Sequence, residues 1–586
     1  MTMETFSCDI ETDGLDPTVV WCIALQNIKT LAVHTFTPER VDLFNDWLQD
    51  GTTLIFHNGL GYDVPVMKKL LGTDFSKIRV EDTLILSQLD SPRREGGNGL
   101  KSWGDRFGFP KGDYTDWTHY TDEMLEYCIR DVEITTKLYK EMLIRDLPSD
   151  AVELEYRTKQ HCVKQQENGW YFDEDKAMQL LQQISLSITE VESTVREVFK
   201  PLAVFNELKK ADKFNVSGTK SIRYQKQLDK GCCWHPSGKW GYNTYDAFNL
   251  GSRKQIAKYL MNFGWKPTVL TEKGSVKVDE TVLEGVDIPE AKLIARYLML
   301  QKRSSMLTSW LDAFNEDTHS IHSRVHTLGT VTNRMSSSNP NLQQVVASNK
   351  EYGKEMRSLF IVPPGKVLVG ADLSGLELRC LAHYMNDAKY TQEILGGDIH
   401  ASNGESAGMI DPSWEVGSDI WKKGRGEAKT FIYAYLYGGG DELVGKIVGG
   451  GSKEGKSIKK KFLDNTPALK KLRRLVEQAS ERGYVKALDG RHIGIRSSHS
   501  ALNFLLQSAG AIIAKRAWVI FHDSCKLPYR QLGVIHDEIQ IECDAEHADD
   551  IGKQVVQAMK DTTEYYNLCC PMDGEYSIGG SWNDTH

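Results

Sequence analysis

The chain has 586 residues, 40% of them hydrophobic and 26% charged, the composition of a globular protein with room for about four domains. No run of eighteen apolar residues occurs, and the first residues lack a basic stretch followed by an apolar one, so neither a membrane span nor a secretory signal is read. The formal net charge of −9 argues against a uniformly basic nucleic-acid binder and leaves local patches to decide.

Along the chain, Thr5–Ile10, Val19–Leu25 and Thr53–Phe56 have strand character. Helical patterns follow at Val64–Leu71 and Glu123–Leu143. Strands first and helices interleaved afterwards predict a compact α/β domain, residues 1–148. From Val152 to Phe199 the pattern is helical. Asp173 suits an N-cap, and Ala177, Leu180, Leu181, Ile184, Ile188, Val191 and Val195 form one apolar face after it. Residues 201–249 are polar and weakly periodic, which predicts a loop or small insertion. Helices are expected again at Ser252–Phe263 and Pro289–Phe314. From His322 onward strands, turns and helices alternate. Asp398–Ser500 reads as mainly helical, broken at Gly438-Gly439-Gly440 and Gly449-Gly450-Gly451. Eleven cysteines occur without a Cys-x-x-Cys pair, so structural zinc is not expected and a reducing, cytoplasmic setting is.

Asp9 and Glu11 lie two apart on the first strand and so share a face. Two like charges on one face repel unless a cation lies between them, and hard divalent ions take oxygen ligands. Asp63 follows the turn His57-Asn58-Gly59-Leu60-Gly61-Tyr62. Tyr127 and Asp131 lie four apart on one helix face. Singly, each acid reads as a solvated surface group. As an ordered set, Asp-x-Glu, Asn-x4-Asp and Tyr-x3-Asp resemble the DEDDy-type 3′–5′ exonucleases over residues 1–145. The resemblance implies an RNase H-like domain and phosphodiester hydrolysis by two Mg²⁺, with Asp9, Glu11, Asp63 and Asp131 as ligands and Tyr127 positioning the attacking water.

A second pattern lies further on. The apolar strand Val367–Ala371 ends in Asp372, and Leu532–Glu542 reads as a hairpin with His536, Asp537 and Glu538 at its apex. Between them, Arg425, Lys429, Tyr433 and Tyr437 recur every four residues and share one broad helix face, because each such step turns a helix by about 400°. Two cations followed by two phenols suit phosphates and then a base or sugar. The order Asp372, Lys429, Tyr433, Asp537 resembles motifs A, B and C of the family A DNA polymerases. Supporting stretches are Thr332-Asn333-Arg334, Pro340–Gln343, Gly397–His400, Leu488–Arg491 and Leu505–Gly510. Within the family, the replicative polymerases of short-tailed bacteriophages are the nearest likeness.

That resemblance implies a right-hand polymerase after the exonuclease domain. Thumb and connecting helices are expected at 149–320, palm at 321–395 and 501–586, and fingers at 396–500. It implies template-directed addition of dNTPs to a primer 3′-OH by two Mg²⁺ held by Asp372, Asp537 and the Leu373 carbonyl. Arg425, Lys429 and His400 are expected on the triphosphate, Tyr433 on the sugar and base, Glu377 against a 2′-hydroxyl, and Tyr437 at the templating position. Arg334 and Gln507 are expected in the minor groove, where acceptors look alike for all correct pairs. His536 is placed near the primer end, Asn503 and Arg496 on the DNA backbone, and Glu538 behind the ligands. The expected partners are primer-template DNA and dNTPs, in a host cytoplasm, with no membrane.

Two departures stand out. Asn333 replaces the glycine usual before the motif arginine; Asn tolerates a left-handed backbone. The segment 201–249 is short where thioredoxin-dependent members carry a large thumb insertion, which argues against thioredoxin and leaves a replicative helicase or another processivity factor open. No 5′-nuclease domain precedes Asp9, which favours a phage replicative role by analogy. Residues 453–474 hold nine Lys or Arg, a basic patch in an acidic chain.

Overall fold

The computed structural model describes residues 4–271 and 273–586, without the side chains of Leu202 and Asp246. The chain forms two compact units. One runs to Phe172 and resumes at Ala313–His586; the other is Asp173–Asp312.

The larger unit contains two sheets that matter for function. The first has five strands in the order Val33–Phe36, Val20–Asn27, Thr5–Thr12, Thr53–Phe56, Arg79–Asp82. The first three strands are antiparallel and the last two run parallel to Thr5–Thr12. Cys8, Ile10, Ile23, Leu25, Leu54 and Phe56 are buried in its core. The helix Asp122–Ile144 starts with Thr121 accepting from the Met124 amide, the side-chain cap that satisfies one orphan N–H. Its Met124, Cys128 and Val132 pack on Cys22 and Ala24. Ser7 donates to the Val132 carbonyl (3.0 Å), so strand and helix are locked in one register. That lock sets the carboxylates of the two elements face to face.

The second sheet has four antiparallel strands in the order Arg530–Ile535, Glu538–Asp544, Lys366–Leu373, Gly574–Gly579. Asp372 pairs with Glu538 in its register. Gly370 sits where a side chain would not fit: an added Cβ would stand 2.5 Å from the Thr585 carbonyl. Helix Ser498–Ser524 is long and apolar enough to cross a membrane, yet 83% of that apolar window is buried inside the protein. It contributes Ile512, Ile513, Trp518 and Phe521 to the core around this sheet; each such side chain contributes about 1.5–3 kcal/mol on burial. A run of helices, Ile399–Ala407, Asp419–Leu436, Asp441–Ile447, Ser452–Asn465 and Pro467–Ser480, lies between the strands in sequence. The Asp419 helix ends at the expected glycines, with Gly438 at φ 78°.

Some elements differ from the sequence reading. The stretch 152–199 is two helices, Ser149–Asn168 and Glu174–Val198, split by Gly169 at φ 64° and the short strand Trp170–Tyr171. The first helix, expected with the thumb, lies in the larger unit. Asp173 caps the second as expected, accepting from the Lys176 amide. In the smaller unit, Leu180, Ile184, Val191 and Val195 are buried. The segment 201–249 is not a loop. Leu202–Glu207 and Trp240–Asp246 pair as antiparallel strands, with Cys233–Trp234 on the far edge of the second and helix Ile222–Asp229 between. Its anchors are few but well bonded. Trp240 is buried and donates to Gln227 (3.1 Å), which donates to the Lys209 carbonyl (2.8 Å). One tryptophan and one glutamine leave no periodic apolar signal, which is why this module is invisible to pattern reading.

Candidate active sites

The first site is the cleft of about 790 Å³ above the five-stranded sheet. Asp9 and Glu11 stand on the first strand, opposite Ala24 and Cys22. Asp63 opens the helix Asp63–Leu71, and Asp131 and Tyr127 come from the facing helix. The turn carrying Asp63 needs Asn58 at φ 70°, a left-handed conformation that Asn tolerates. Glu11, Asp63 and Asp131 are buried, and all five expected residues line this one cleft.

Burial raises every carboxyl here, and repulsion between neighbours adds to it at Asp9, Glu11 and Asp63. Burial, then Glu11, Asp131 and Asp63, push Asp9 well above its ordinary range. Burial lifts Glu11 to about 9, with Asp131 adding to it. Asp63 rises to about 7 and Asp131 to about 6, each mainly through burial. Asp9, Glu11 and Cys128 offer ligand atoms all within 4.8 Å of one another. Asp131 Oδ1 is buried without a hydrogen-bond partner. Clustered oxygens that repel and an orphaned carboxylate oxygen fit a hard divalent cation.

Sequence reasoning missed two residues here. Lys111 donates to Asp131 Oδ2 and lies over the Tyr127 ring at 4.5 Å. It comes from an irregular stretch after Pro110, and nothing in its neighbourhood marks it. Asp82 accepts from the amides of Asn58 (3.0 Å), Leu60 (3.1 Å) and Leu84 (3.0 Å). It thus holds the Asn58–Asp63 turn while capping the helix Thr83–Asp90. An Asp just before the apolar run Thr83-Leu84-Ile85-Leu86 was a readable cap signal.

The second site lies at the end of the two central strands of the four-stranded sheet. Asp372 is near the end of its strand and Asp537 in the turn of the neighbouring hairpin. The Leu373 amide donates to the Asp537 carbonyl (3.3 Å), so segments far apart in sequence are backbone neighbours. No ion pair neutralises either carboxylate among the described residues. Asp372 opens into the cleft, yet the surrounding protein, then Asp537 and Glu538, lift its carboxyl to about 7. Burial, then Glu377, raise Asp537 to about 6. This pair also fits a shared divalent cation. Glu538 is otherwise engaged: it accepts from Trp582 Nε1 (2.7 Å) and from Gln540, and it pairs with His586 (2.9 Å). Its carboxylate is thus taken up by these three partners.

The helix Asp419–Leu436 brings Tyr433 near Asp537 and Glu377. Lys429 is exposed; Tyr433 is half-buried, its hydroxyl raised by burial and then by Glu377 and Asp537. His400 lies 6.3 Å from the Tyr433 ring, and burial, then Arg425 and Lys429, lower its basicity. Its Nδ1 is buried without a partner. Arg425 pairs with Asp398 (2.5 Å), which also caps the His400 helix. Tyr437 is the C-cap residue rather than part of the helix, and its hydroxyl donates to Glu377 Oε1 (2.6 Å). Arg334 pairs with the same oxygen (3.2 Å). Glu377 thus ties the helix terminus to the Arg334 loop.

The remaining residues surround this core. Asn333 takes φ 61°, so the backbone survives the replacement of glycine. Gln507 accepts from Thr332 Oγ1 (3.3 Å), and Asn503 stands one turn earlier on the same helix. His536, at φ 61°, donates its amide to Gln343 (3.4 Å). Arg496 is exposed in the segment before that helix, with no hydrogen bond or ion pair to the cleft residues among the described ones. A further set escaped pattern reading. Glu155, Asp489, Arg491 and Lys515 form a fully buried quartet with Glu155 pairing to Lys515 (2.7 Å) and Arg491 (2.6 Å), and Arg491 to Asp489 (2.6 Å). Lys515 also donates to the carbonyls of Thr327 and Asn333 (both 2.9 Å), straps on the loop that carries Arg334.

Comparison with known proteins gives these two sites a common frame. Residues 238–584 match DNA polymerase family A, and residues 7–143 match the RNase H superfamily. The DNA-directed DNA polymerases of Enterobacteria phage T3 and Escherichia phage T7 are each 31% identical, over 99% of this chain and 99% of their own. The T3 alignment runs to 718 positions against 586 residues here, so that relative carries segments this chain lacks. The thermostable DNA polymerase I of Thermus aquaticus is 28% identical over 57% of this chain and 42% of its own. A solved POL domain of Pol1 from M. smegmatis, in complex with DNA primer-template and dNTP, shares the fold at a TM-score of 0.77 and 19% identity, over 100% of this chain and 96% of that one. The match over residues 238–584 and the full-length likeness to the two phage enzymes show that the chain belongs to DNA polymerase family A.

Proposed function

We propose that this chain is a template-directed DNA polymerase that extends a primer 3′-OH with dNTPs and removes mispaired 3′ ends with its RNase H-like domain, in phage genome replication. The observation that carries this reading is the adjacency of Asp372 and Asp537 across the Leu373 amide, facing Lys429, His400 and Tyr433. Divalent cations, two Mg²⁺ at each site, would be held by Asp372, Asp537 and the Leu373 carbonyl and by Asp9, Glu11, Asp63 and Asp131, activating the attacking oxygen and neutralising the leaving one. The chain's own groups do the positioning on which phosphoryl transfer depends. Lys429 and His400 bind the triphosphate. Arg425, already neutralised by Asp398, orients that helix and joins them when a polyphosphate competes for its guanidinium. Tyr433 stacks against the incoming sugar, and Glu377, held by Tyr437 and Arg334, bars a 2′-hydroxyl. Arg334 and Gln507 sense pairing geometry from the minor groove. Tyr127 orients the hydrolytic water.

The domain assignment follows: exonuclease at 1–148, thumb within 149–320, palm at 321–395 and 501–586, fingers at 396–500. Primer-template DNA and dNTPs are the substrates; the short 201–249 segment counts against thioredoxin and leaves a replicative helicase, another processivity factor or low processivity open. The test is labelled primer extension with wild type, Asp537→Ala and Asp9→Ala/Glu11→Ala. Asp537→Ala loses extension and keeps primer degradation, and the double variant does the reverse. Loss of both activities in either variant would overturn the division into two sites.

A further inference from the structure

The geometry points to a phosphate-binding rim on the exonuclease cleft, built from outside the RNase H-like fold: Lys159 and Arg324 hold the backbone of a single-stranded 3′ end. The inference rests on the exonuclease reading and extends it to how the substrate strand is held.

The cleft has three chemically distinct sides. Its floor is the carboxylate set. One wall is aromatic, with Tyr114, Trp117 and Tyr127 in mutual contact at ring separations of 5.0–6.0 Å. Lys159, Arg324 and His326 also line the cleft, all beyond residues 7–143 matched by the RNase H superfamily. Lys159 stands on the helix Ser149–Asn168; Arg324 and His326 lie two apart on the strand Arg324–His326, both exposed, with Val325 buried between them. Strand alternation alone puts both side chains on the cleft side.

Lys159 reaches into the turn that carries Asn58 and Asp63. A Cβ added at Gly61 would stand 2.8 Å from its Nζ, so that glycine is what admits the ammonium. Lys159 and Arg324 both lower the basicity of His326, after burial, which places like charges around one ring. Neither cation has a carboxylate within ion-pair distance among the described residues, although the neighbouring Lys111 pairs with Asp131. Lys159 acts on the Asp82 carboxylate only at longer range, so both cations remain open to an anion that joins them. Cations and stacking rings in one cleft are the combination that grips single-stranded nucleic acid irrespective of sequence. The floor engages the terminal phosphodiester, and the rim engages phosphates further from the 3′ end. The strand enters along a wall supplied by the polymerase half, which ties degradation to an end already frayed from the duplex.

The test uses the full chain and oligo-dT of two and eight nucleotides. Lys159→Gln, Arg324→Gln and the double variant are compared with wild type for KM and kcat of degradation, and for the salt dependence of octanucleotide binding by fluorescence anisotropy. The expected result is a KM for the octanucleotide that rises with each cation removed, at unchanged kcat and with the dinucleotide unaffected. The slope of log affinity against log salt shrinks by about 0.7 for each cation removed. Arg324 is on the surface, so its variant remains folded even if Lys159→Gln loosens the Gly61 turn. Unchanged octanucleotide KM and slope would overturn the rim, and so would an equal loss on the dinucleotide, which marks a structural effect. A wild-type chain that degrades neither oligonucleotide overturns the exonuclease reading instead, and the anisotropy slope then decides on the rim alone.

Discussion

The buried quartet allows a quantitative prediction. Glu155, Asp489, Arg491 and Lys515 are each at most 1% exposed at the side chain and sum to no net charge. Glu155 accepts two bonds from Lys515 (2.7 and 2.9 Å) and one from Arg491 (2.6 Å). Burial pulls the Lys515 ammonium below its ordinary range, and Glu155 is the first group opposing it. Glu155→Gln therefore leaves a buried positive charge without its counterpart. Removing one partner of a buried pair costs about 3–5 kcal/mol. Replacing both partners by neutral groups of similar shape costs far less, so Glu155→Gln/Lys515→Met should regain most of the loss. The readout is the half-life of extension activity at elevated temperature, because a chain of this size need not unfold in two states. At permissive temperature a second signature is expected. The double variant, stable but lacking the bonds from Lys515 to the Thr327 and Asn333 carbonyls, extends mispaired primers more readily than wild type, and adding Arg334→Ala to it changes that ratio no further. If the double variant is as labile as Glu155→Gln, charge balance is not what holds the quartet and the reasoning fails.

Four further outcomes are expected. Asp82→Ala removes three bonds from the Asn58–Leu84 region and the cap of a helix, a loss of about 1–2 kcal/mol at the cap; primer degradation should fall while extension on matched primers stays intact. His161 and His522 stack at 3.8 Å. Burial, then its neighbour, hold His161 at about 3, and burial holds His522 at about 4. Unfolded chains bind protons at these rings below about pH 6.5 and the native state does not. Stability is therefore complete above that pH and falls as pH drops toward 4, by about 2 kcal/mol per ring at pH 5. His161→Phe should flatten the melting-temperature profile between pH 7 and 5, and an unchanged profile would show that these rings do not set it. At the polymerase site, Tyr433→Phe should lower the use of dideoxynucleotides relative to dNTPs by about 3–10-fold, the worth of one hydrogen bond. Glu377→Ala should raise ribonucleotide incorporation in the same steady-state competition assay, and rejection equal to wild type would remove Glu377 from that role.

Local sequence determined which residues could do chemistry. Asp9 and Glu11 share a strand face because side chains alternate, Tyr127 and Asp131 share a helix face because four residues nearly complete a turn, and Arg425, Lys429 and Tyr433 follow the same rule. Left-handed positions were also legible, since Asn333 takes the backbone its side chain permits. Tertiary structure alone decided the meetings between distant segments. The adjacency of Asp372 and Asp537 comes from the order of strands in a sheet, which neither strand's own alternation specifies. Lys111 beside Asp131, Lys159 against Gly61 and Lys515 beneath Asn333 bridge segments with no shared periodicity. A lysine carries the same sequence signal whether it is solvated on a surface or buried against a carboxylate, and only the fold distinguishes the two.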